Sequence, residues 1–280
     1  MSNSNFVITL NDGLKLPSIG FGTYSLNGAR GAESMKQAID IGYRLIDSAF
    51  NYENEGAVGK AIKQCSVPRG DLIVTSKLPG RHHKYEEALT TIEESLYRAD
   101  LDYYDLYLIH WPNPITDRYV EAWQALIEAK KRGYVRSIGV CNFLPEHLER
   151  LINETGIAPS INQIELHPYF NQEKQLQWNK EHQIATESWS PLERGRNLLS
   201  ESVILDIANI YKKTPTQVVL RWHIDRGALP IPKAFSKEHQ IENLDIFDFE
   251  LTSEEIAAIN KLSRPDGRIN NQDPSSYEEF

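Results

Sequence analysis

Residues 43–62 read YRLIDSAFNYENEGAVGKAI, and the way its first five residues are taken decides the fold. Leu45-Ile46 is an apolar run that stops on Asp47; the next few residues carry Tyr52 among asparagines and glutamates, and helical spacing begins near residue 54. An apolar run this short, bounded by polar residues, is a buried strand that surfaces at its C-terminal end. Two explanations of the acid and the phenol compete. Either the chain has merely reached solvent, or Asp47 and Tyr52 are two parts of one site.

Outward from this stretch the same strand–loop–helix unit repeats. Strand-like runs at 17–23, 44–48, 72–77, 105–110, 135–140, 160–166, 184–189 and 229–232 alternate with helix-like segments. The helical segments are 31–42, 54–64, 84–100, 117–132, 145–153, 172–182, 202–212 and 215–226. In 84–100, for instance, Ala88, Leu89, Ile92, Leu96 and Ala99 share one face. Gly133 and Gly227 stand where left-handed caps end helices. Alternating β and α segments imply parallel strands with right-handed crossovers, and eight such units predict an α/β fold, a (β/α)8 TIM barrel. Asn11-Asp12-Gly13 between two β-prone runs predicts an N-terminal β-hairpin. A helix at 253–262 and the tail SRPDGRINNQDPSSYEEF follow the last unit, and the tail is expected over the barrel mouth. No linker-like segment divides the chain, so residues 1–280 are read as one domain.

Composition narrows the partners. Net charge is −9 at pH 7, which disfavours nucleic acid and anionic membranes. No apolar stretch is long enough to span a bilayer, and the N-terminal MSNSNFVITLNDG has no leader-like pattern, so a cytoplasmic protein is expected. Cys65 and Cys141 are too few for a disulfide framework and fit a reducing compartment. No metal site is expected; His82-His83 sits in a polar loop.

The strand ends carry the chemistry. RLID, VTSK, LYLIH, INQIELH, TESWS and PIPK each run apolar and then turn polar, and in a barrel of this kind such ends form the active-site floor. Asp47, Tyr52, Lys77 and His110 come from three successive strand ends or the loops beyond them. A tyrosine has an ordinary pKa of about 10, and a nearby ammonium and imidazole are expected to lower it toward a useful value. Lys77 needs a carboxylate to stay charged in a buried site, and Asp47 can supply it. The set then reads as a proton-donating tyrosine tuned by a Lys–Asp pair, with His110 toward a carbonyl oxygen. Lys77 alone could equally form a Schiff base.

These stretches resemble the aldo-keto reductases. YRLIDSAFNYENEGAVGKAI is similar to that family's Gly-Tyr-Arg-x-Ile-Asp-(Ser/Thr)-Ala-x-x-Tyr-x-Asn-Glu signature, and LPSIGFGTY, VRSIGVCNF, NQIELHPY, SWSPL and IPKAF resemble its other motifs in order. The likeness is strongest to the bacterial branch of 2,5-diketo-gluconate and methylglyoxal reductases. It implies NAD(P)H-dependent reduction of small carbonyls, with Tyr52 as general acid, Asp47 and Lys77 as its tuning pair and His110 as orienting residue. It further implies a nicotinamide dinucleotide held by Gly22, Thr23, Asn142, Gln163, Trp189, Ser190, Pro191 and Leu192, with Lys233, Ala234, Phe235, His239, Glu242 and Asn243 in a loop, 234–243, at the adenosine end. Tyr24, Phe50, Trp111 and Arg268 are the substrate-pocket candidates.

Two departures bear on the cofactor. Ala234 stands where many relatives have serine, and His239 where an arginine commonly meets the 2′-phosphate. Lys233 favours NADPH over NADH, with dual use expected because histidine lacks arginine's permanent charge and fork. Cys141 also stands where serine is common. The resemblance leaves room for a partner-regulating protein on the same fold, like potassium-channel β subunits; a monomer acting on a small carbonyl is the favoured reading.

Overall fold

Val7–Thr9 (β1) and Lys15–Pro17 (β2) pair antiparallel around a turn in which the Leu10 N–H donates to Leu14 O and Gly13 adopts φ 92°. The computed structural model describes residues 7–280; Phe6, at the head of the first expected hairpin run, and the part of the leader reading that falls on 1–6 lie outside the described residues. Leu10 and Leu16 of the hairpin join Leu45, Leu106, Leu108, Ile161 and Leu229 in one apolar cluster, and Asn11 donates to the Pro159 carbonyl ahead of a barrel strand. The hairpin thus plugs the end of the barrel where the strands begin. Only the end where they finish is left open.

The eight parallel strands are β3 (Phe21–Gly22), β4 (Leu45–Asp47), β5 (Ile73–Leu78), β6 (Tyr104–Ile109), β7 (Val135–Cys141), β8 (Ile161–Glu165), β9 (Ala185–Trp189) and β10 (Ala228–Pro230), each hydrogen-bonded to the next in chain order. The barrel shuts where Gly20 and Gly22 donate to the carbonyls of Pro230 and Pro232. Glycine at 22 has a steric cause: a Cβ there would lie 2.9 Å from the Ile231 carbonyl oxygen. Every residue of β6 is buried, as expected of a strand covered on both faces, which is why these strands read as apolar runs rather than alternations.

The outer layer is α1 (Gly28–Ile41), α2 (Glu55–Gln64), α3 (Tyr85–Ala99), α4 (Tyr119–Arg132), α5 (Pro145–Thr155), α6 (Glu173–Glu181), α7 (Ser202–Tyr211), α8 (Pro215–Asp225), α9 (Lys237–Leu244) and α10 (Ser253–Asn260). Gly133 ends α4 at φ 82°, and Gly227 follows α8 at φ 77°. Among the described residues no helix is long and apolar enough to cross a membrane.

Two expectations are corrected. The predicted strand 17–23 is split: its start belongs to the hairpin, and the chain bends at 18–20 before the two barrel residues of β3. Proline at 17 lacks the N–H that continued pairing would use. The segment 234–243, expected as a loop, is largely α9; Ser236 caps it by accepting the His239 N–H at 3.3 Å.

Candidate active site

The carboxylate that ends β4 points at an ammonium. Lys77, fully buried in β5, donates to Asp47 Oδ1 at 2.6 Å and to the Ser48 carbonyl at 2.7 Å. Burial is the largest single influence and works to discharge this lysine, but the Asp47 charge and hydrogen bond, together with the neighbouring Tyr52 and Cys141, outweigh it and hold the ammonium above its usual pKa. Gln163 of β8 donates to Asp47 Oδ2 at 2.8 Å and to Glu187 Oε2 at 2.7 Å, spending both of its N–H groups. Burial, with the Asp47 charge adding to it, pushes the Glu187 carboxyl up to about 8.

The polar residues after Asp47 are scaffolding for this floor. Thr23 Oγ1 donates to Asp47 O at 2.9 Å, Asn54 donates to the Thr23 carbonyl at 2.8 Å, and Ser48 donates to Asn54 Oδ1 at 2.7 Å. Glu55 turns inward and accepts from Ser76 at 2.5 Å. They fix the short turn that presents Tyr52, whose ring centre lies 5.1 Å from Lys77 Nζ and 5.9 Å, edge to face, from the His110 ring. Tyr24 packs edge-on against Tyr52 at 5.1 Å. One electrostatic expectation is overturned here. Burial of the phenol raises its pKa further than the Lys77 charge lowers it, so Tyr52 is held above its ordinary value. The proton stays on the phenol, available to a stronger base.

His110 follows β6, and its Nδ1 lies 2.7 Å from Glu279 Oε1 in the tail. Asn51 donates to Glu279 Oε1 at 2.8 Å and the Gly80 N–H to Oε2 at 2.9 Å. Burial works to raise the Glu279 carboxyl, but the His110 contact and these hydrogen bonds prevail and hold it below the usual range. A carboxyl lowered by folding stabilises the docked tail above its unfolded value, about 4.3, and the contribution is lost as pH falls through the folded value. Tyr277 lies against Trp111 with ring centres 4.5 Å apart. The stability of the docked tail, read as the urea midpoint of the Trp111 share of the fluorescence, is therefore expected to hold from pH 8 to 5 and to fall only below about 4, with the tail still docked in the absence of urea through its other contacts. A midpoint that already falls near pH 6 would contradict this.

Above the floor is a cleft of about 680 Å³. It brings together Asp47, Tyr52, His110, Tyr24, Trp111, Gly22, Thr23, Asn142, Gln163, Trp189, Ser190, Pro191, Leu192 and Lys233. Asn142 donates to His110 O at 3.0 Å and accepts from Trp189 Nε1 at 2.7 Å, which holds the half-buried indole in the wall. Asn142 (φ 63°) and Ser190 (φ 49°) both adopt left-handed backbone, a conformation of order 1–3 kcal/mol above the ordinary regions that accumulates at functional sites. Four further lining residues come from the tail, Asn270, Gln272, Tyr277 and Glu279, and Arg194 comes from the loop after β9.

The structure does not bring every candidate into this cleft. Phe50 is buried beside it, with the Arg98 guanidinium 3.9 Å over its ring and His82 edge-on at 5.6 Å, so its aromatic surface is already covered. Arg268 faces its own tail, donating to Gln272 O at 3.1 Å and lying over the Phe170 ring. Ala234 is buried, its carbonyl accepting from Gln240, whereas Phe235 is exposed beneath the Arg30 guanidinium. His239 is exposed on α9; Glu242 accepts from Thr214 at 2.5 Å, and Asn243 is buried in the helix seat. Glu187, Asn51, Tyr277 and Glu279 were missed by sequence reasoning, which placed the tail over the mouth but pointed only to its stretch near Arg268. Glu187 did lie in one of the strand ends, TESWS, but YEEF at the terminus reads as solvated acid.

Comparison with known proteins agrees with this geometry. Residues 18–264 match the Aldo/keto reductase family. The chain is 50% identical over 273 residues to 2,5-diketo-D-gluconic acid reductase B of Corynebacterium sp., covering 98% of each. It is 46% identical to methylglyoxal reductase DkgA of Escherichia coli, covering 97% of this chain and 98% of that one. A solved structure of a Gox0644 mutant in complex with NADPH superposes with a TM-score of 0.92 at 42% identity, covering 97% of this chain and 98% of the other. With the barrel, the Asp47–Lys77 pair beneath Tyr52 and these matches along its length, the chain belongs to the aldo/keto reductase family.

Proposed function

We propose that this cleft reduces small aldehydes, dicarbonyls or keto sugars to alcohols, with NADPH preferred over NADH and Tyr52 as the proton donor. The observation that carries this reading is the buried Asp47–Lys77 ion pair directly beneath the Tyr52 phenol. A nicotinamide dinucleotide, when bound, supplies the hydride. The chain's own groups suit such a cofactor. Gln163, with both N–H groups spent, has its oxygen left to accept, and Asn142 retains one N–H to donate, a pair complementary to a carboxamide. Trp189 offers an indole face, and Lys233 and Arg194 offer positive charge for phosphates.

In this reading His110 hydrogen-bonds the substrate carbonyl, and the phenol of Tyr52 gives its proton to the oxygen as negative charge develops there. Lys77 stabilises the phenolate left behind, which is the state its charge favours. Tyr24 and Trp111 form the apolar walls. The Schiff-base alternative is disfavoured because the Lys77 nitrogen is held protonated and donates to two oxygens. The same reading takes residues 1–280 as one domain acting as a monomer.

The test is a pair of initial rates with methylglyoxal, one with NADPH and one with NADH, against a Tyr52→Phe control. Turnover that depends on Tyr52 supports the reading; no turnover and no cofactor binding would overturn it. Histidine at 239 lies on exposed helix surface without permanent charge, so His239→Arg is expected to raise the NADPH-to-NADH ratio of kcat/KM by roughly fivefold to tenfold, the range of one exposed or partly desolvated phosphate contact. An unchanged ratio would remove α9 from the cofactor site.

A further inference from the structure

We propose that the C-terminal tail is a working part of the active site, in which Glu279 is a positioning residue that holds the His110 ring toward the substrate. This rests on the reading of His110 as the group that addresses the carbonyl oxygen. Three observations lead to it.

The first is the contact itself. Glu279 Oε1 lies 2.7 Å from His110 Nδ1, with 9% of the Glu279 side chain and 14% of the His110 side chain exposed. Nδ1 has no aligned hydrogen-bond partner, so the carboxylate meets the ring off its N–H direction, as a close polar contact that fixes the edge of the ring. With one ring nitrogen occupied by the tail, the other is left for the cleft.

The second is how the carboxylate is delivered. Asn113, buried and left-handed at φ 46°, accepts the Glu279 N–H at 3.0 Å and donates to the Glu279 carbonyl at 2.9 Å. Gly80, whose N–H binds the other carboxylate oxygen, could not carry a side chain there, because a Cβ would lie 2.3 Å from the Asn113 amide. Both loops, after β5 and after β6, are therefore shaped around the residue that touches His110.

The third is that the tail has an anchor independent of that carboxylate. Glu278 accepts the Ile115 N–H at 2.7 Å and the Thr116 hydroxyl at 2.5 Å, and Tyr277 packs on Trp111. An uncharged amide at 279 could still accept from Gly80. What a carboxylate adds over that amide is its charge, and the ring in direct contact with that charge is the His110 imidazole, 2.7 Å away. A buried carboxylate is costly unless such partners compensate it, so a side chain serving only to tie down the tail would gain nothing from it.

The experiment uses the full chain and two isosteric variants, Glu279→Gln and Glu278→Gln. It measures kcat and KM with methylglyoxal, the NADPH Kd, the Trp111 fluorescence that reports docking, and the ¹⁵N shifts of the His110 ring, assigned by their loss in His110→Gln. The expected result is a kcat lower by on the order of tenfold to a hundredfold in Glu279→Gln, with the NADPH Kd and Trp111 signal unchanged. The His110 nitrogens shift, and Glu278→Gln stays within about threefold of wild type. Equal losses in the two variants would reduce the tail to a clamp and overturn the proposal, as would a wild-type kcat or unmoved ring nitrogens in Glu279→Gln. A wild-type chain that neither binds NADPH nor turns methylglyoxal over would sink the reductase reading instead; the ring nitrogens still decide whether Glu279 acts on His110.

Discussion

Replacing Tyr52 with phenylalanine is expected to lower kcat for methylglyoxal by on the order of 10²- to 10⁴-fold, the usual contribution of a positioned proton donor, with the NADPH Kd unchanged. The substitution removes one oxygen and little else. The ring's edge-to-face contacts with Tyr24 and His110 do not depend on the hydroxyl, nor does the approach of Lys77 Nζ to its face at 5.1 Å. A rise in KM alone would mean that the hydroxyl only binds substrate. Full activity would mean that another group gives the proton. Burial holds the phenol protonated at neutral pH, so the wild-type donor is loaded before the reaction begins.

The second large effect is expected at Asp47. Asp47→Ala leaves the Lys77 ammonium fully buried with only the Ser48 carbonyl as partner, and leaves one N–H of Gln163 without its acceptor. Breaking one side of a buried ion pair costs about 3–5 kcal/mol. For a chain of this size that corresponds to a fall in Tm of roughly 10 °C. Urea unfolding followed by circular dichroism checks it, and a loss below about 1 kcal/mol would mean that water reaches Lys77. The Asp47→Ala, Lys77→Met double variant is expected to regain part of the stability, because it removes the uncompensated charge along with its partner. It is not expected to regain activity, since the charge that stabilises the phenolate is gone. Stability and turnover thus part company in the double variant, which separates the pair's structural role from its chemical one.

Much of the floor was legible because barrel strands are buried on both faces and surface only at their ends. An apolar run that stops on Asp47, Lys77 or His110 therefore marks depth as well as strand identity. The pairing of Lys77 with Asp47 followed from charge alone, since a buried lysine needs a carboxylate. Asn54 and Glu55 were legible only as part of a motif. Their work, bridging the Thr23 turn to the Ser48 turn and bonding Ser76, depends on loops that meet in space. For the walls the limits were plainer. Phe50 is one position from Asn51, which reaches the tail, yet its own ring is covered by Arg98 from α3.

The chain's local pattern determined the eight strands, nearly all the helices, the hairpin and the acid, lysine and phenol beyond the strand ends. These depend on interactions within a few residues or on burial, which periodicity reports directly. What only the tertiary structure decided was electrostatic and long-range. The direction of the Tyr52 pKa is a contest between depth and one charge, and depth is a property of the packed barrel. The arrival of Glu279 at Gly80, 199 residues earlier, and at His110 depends on where a tail with no strand or α-helix comes to rest. No local spacing encodes such a meeting, because the chain between those residues has first to close the barrel.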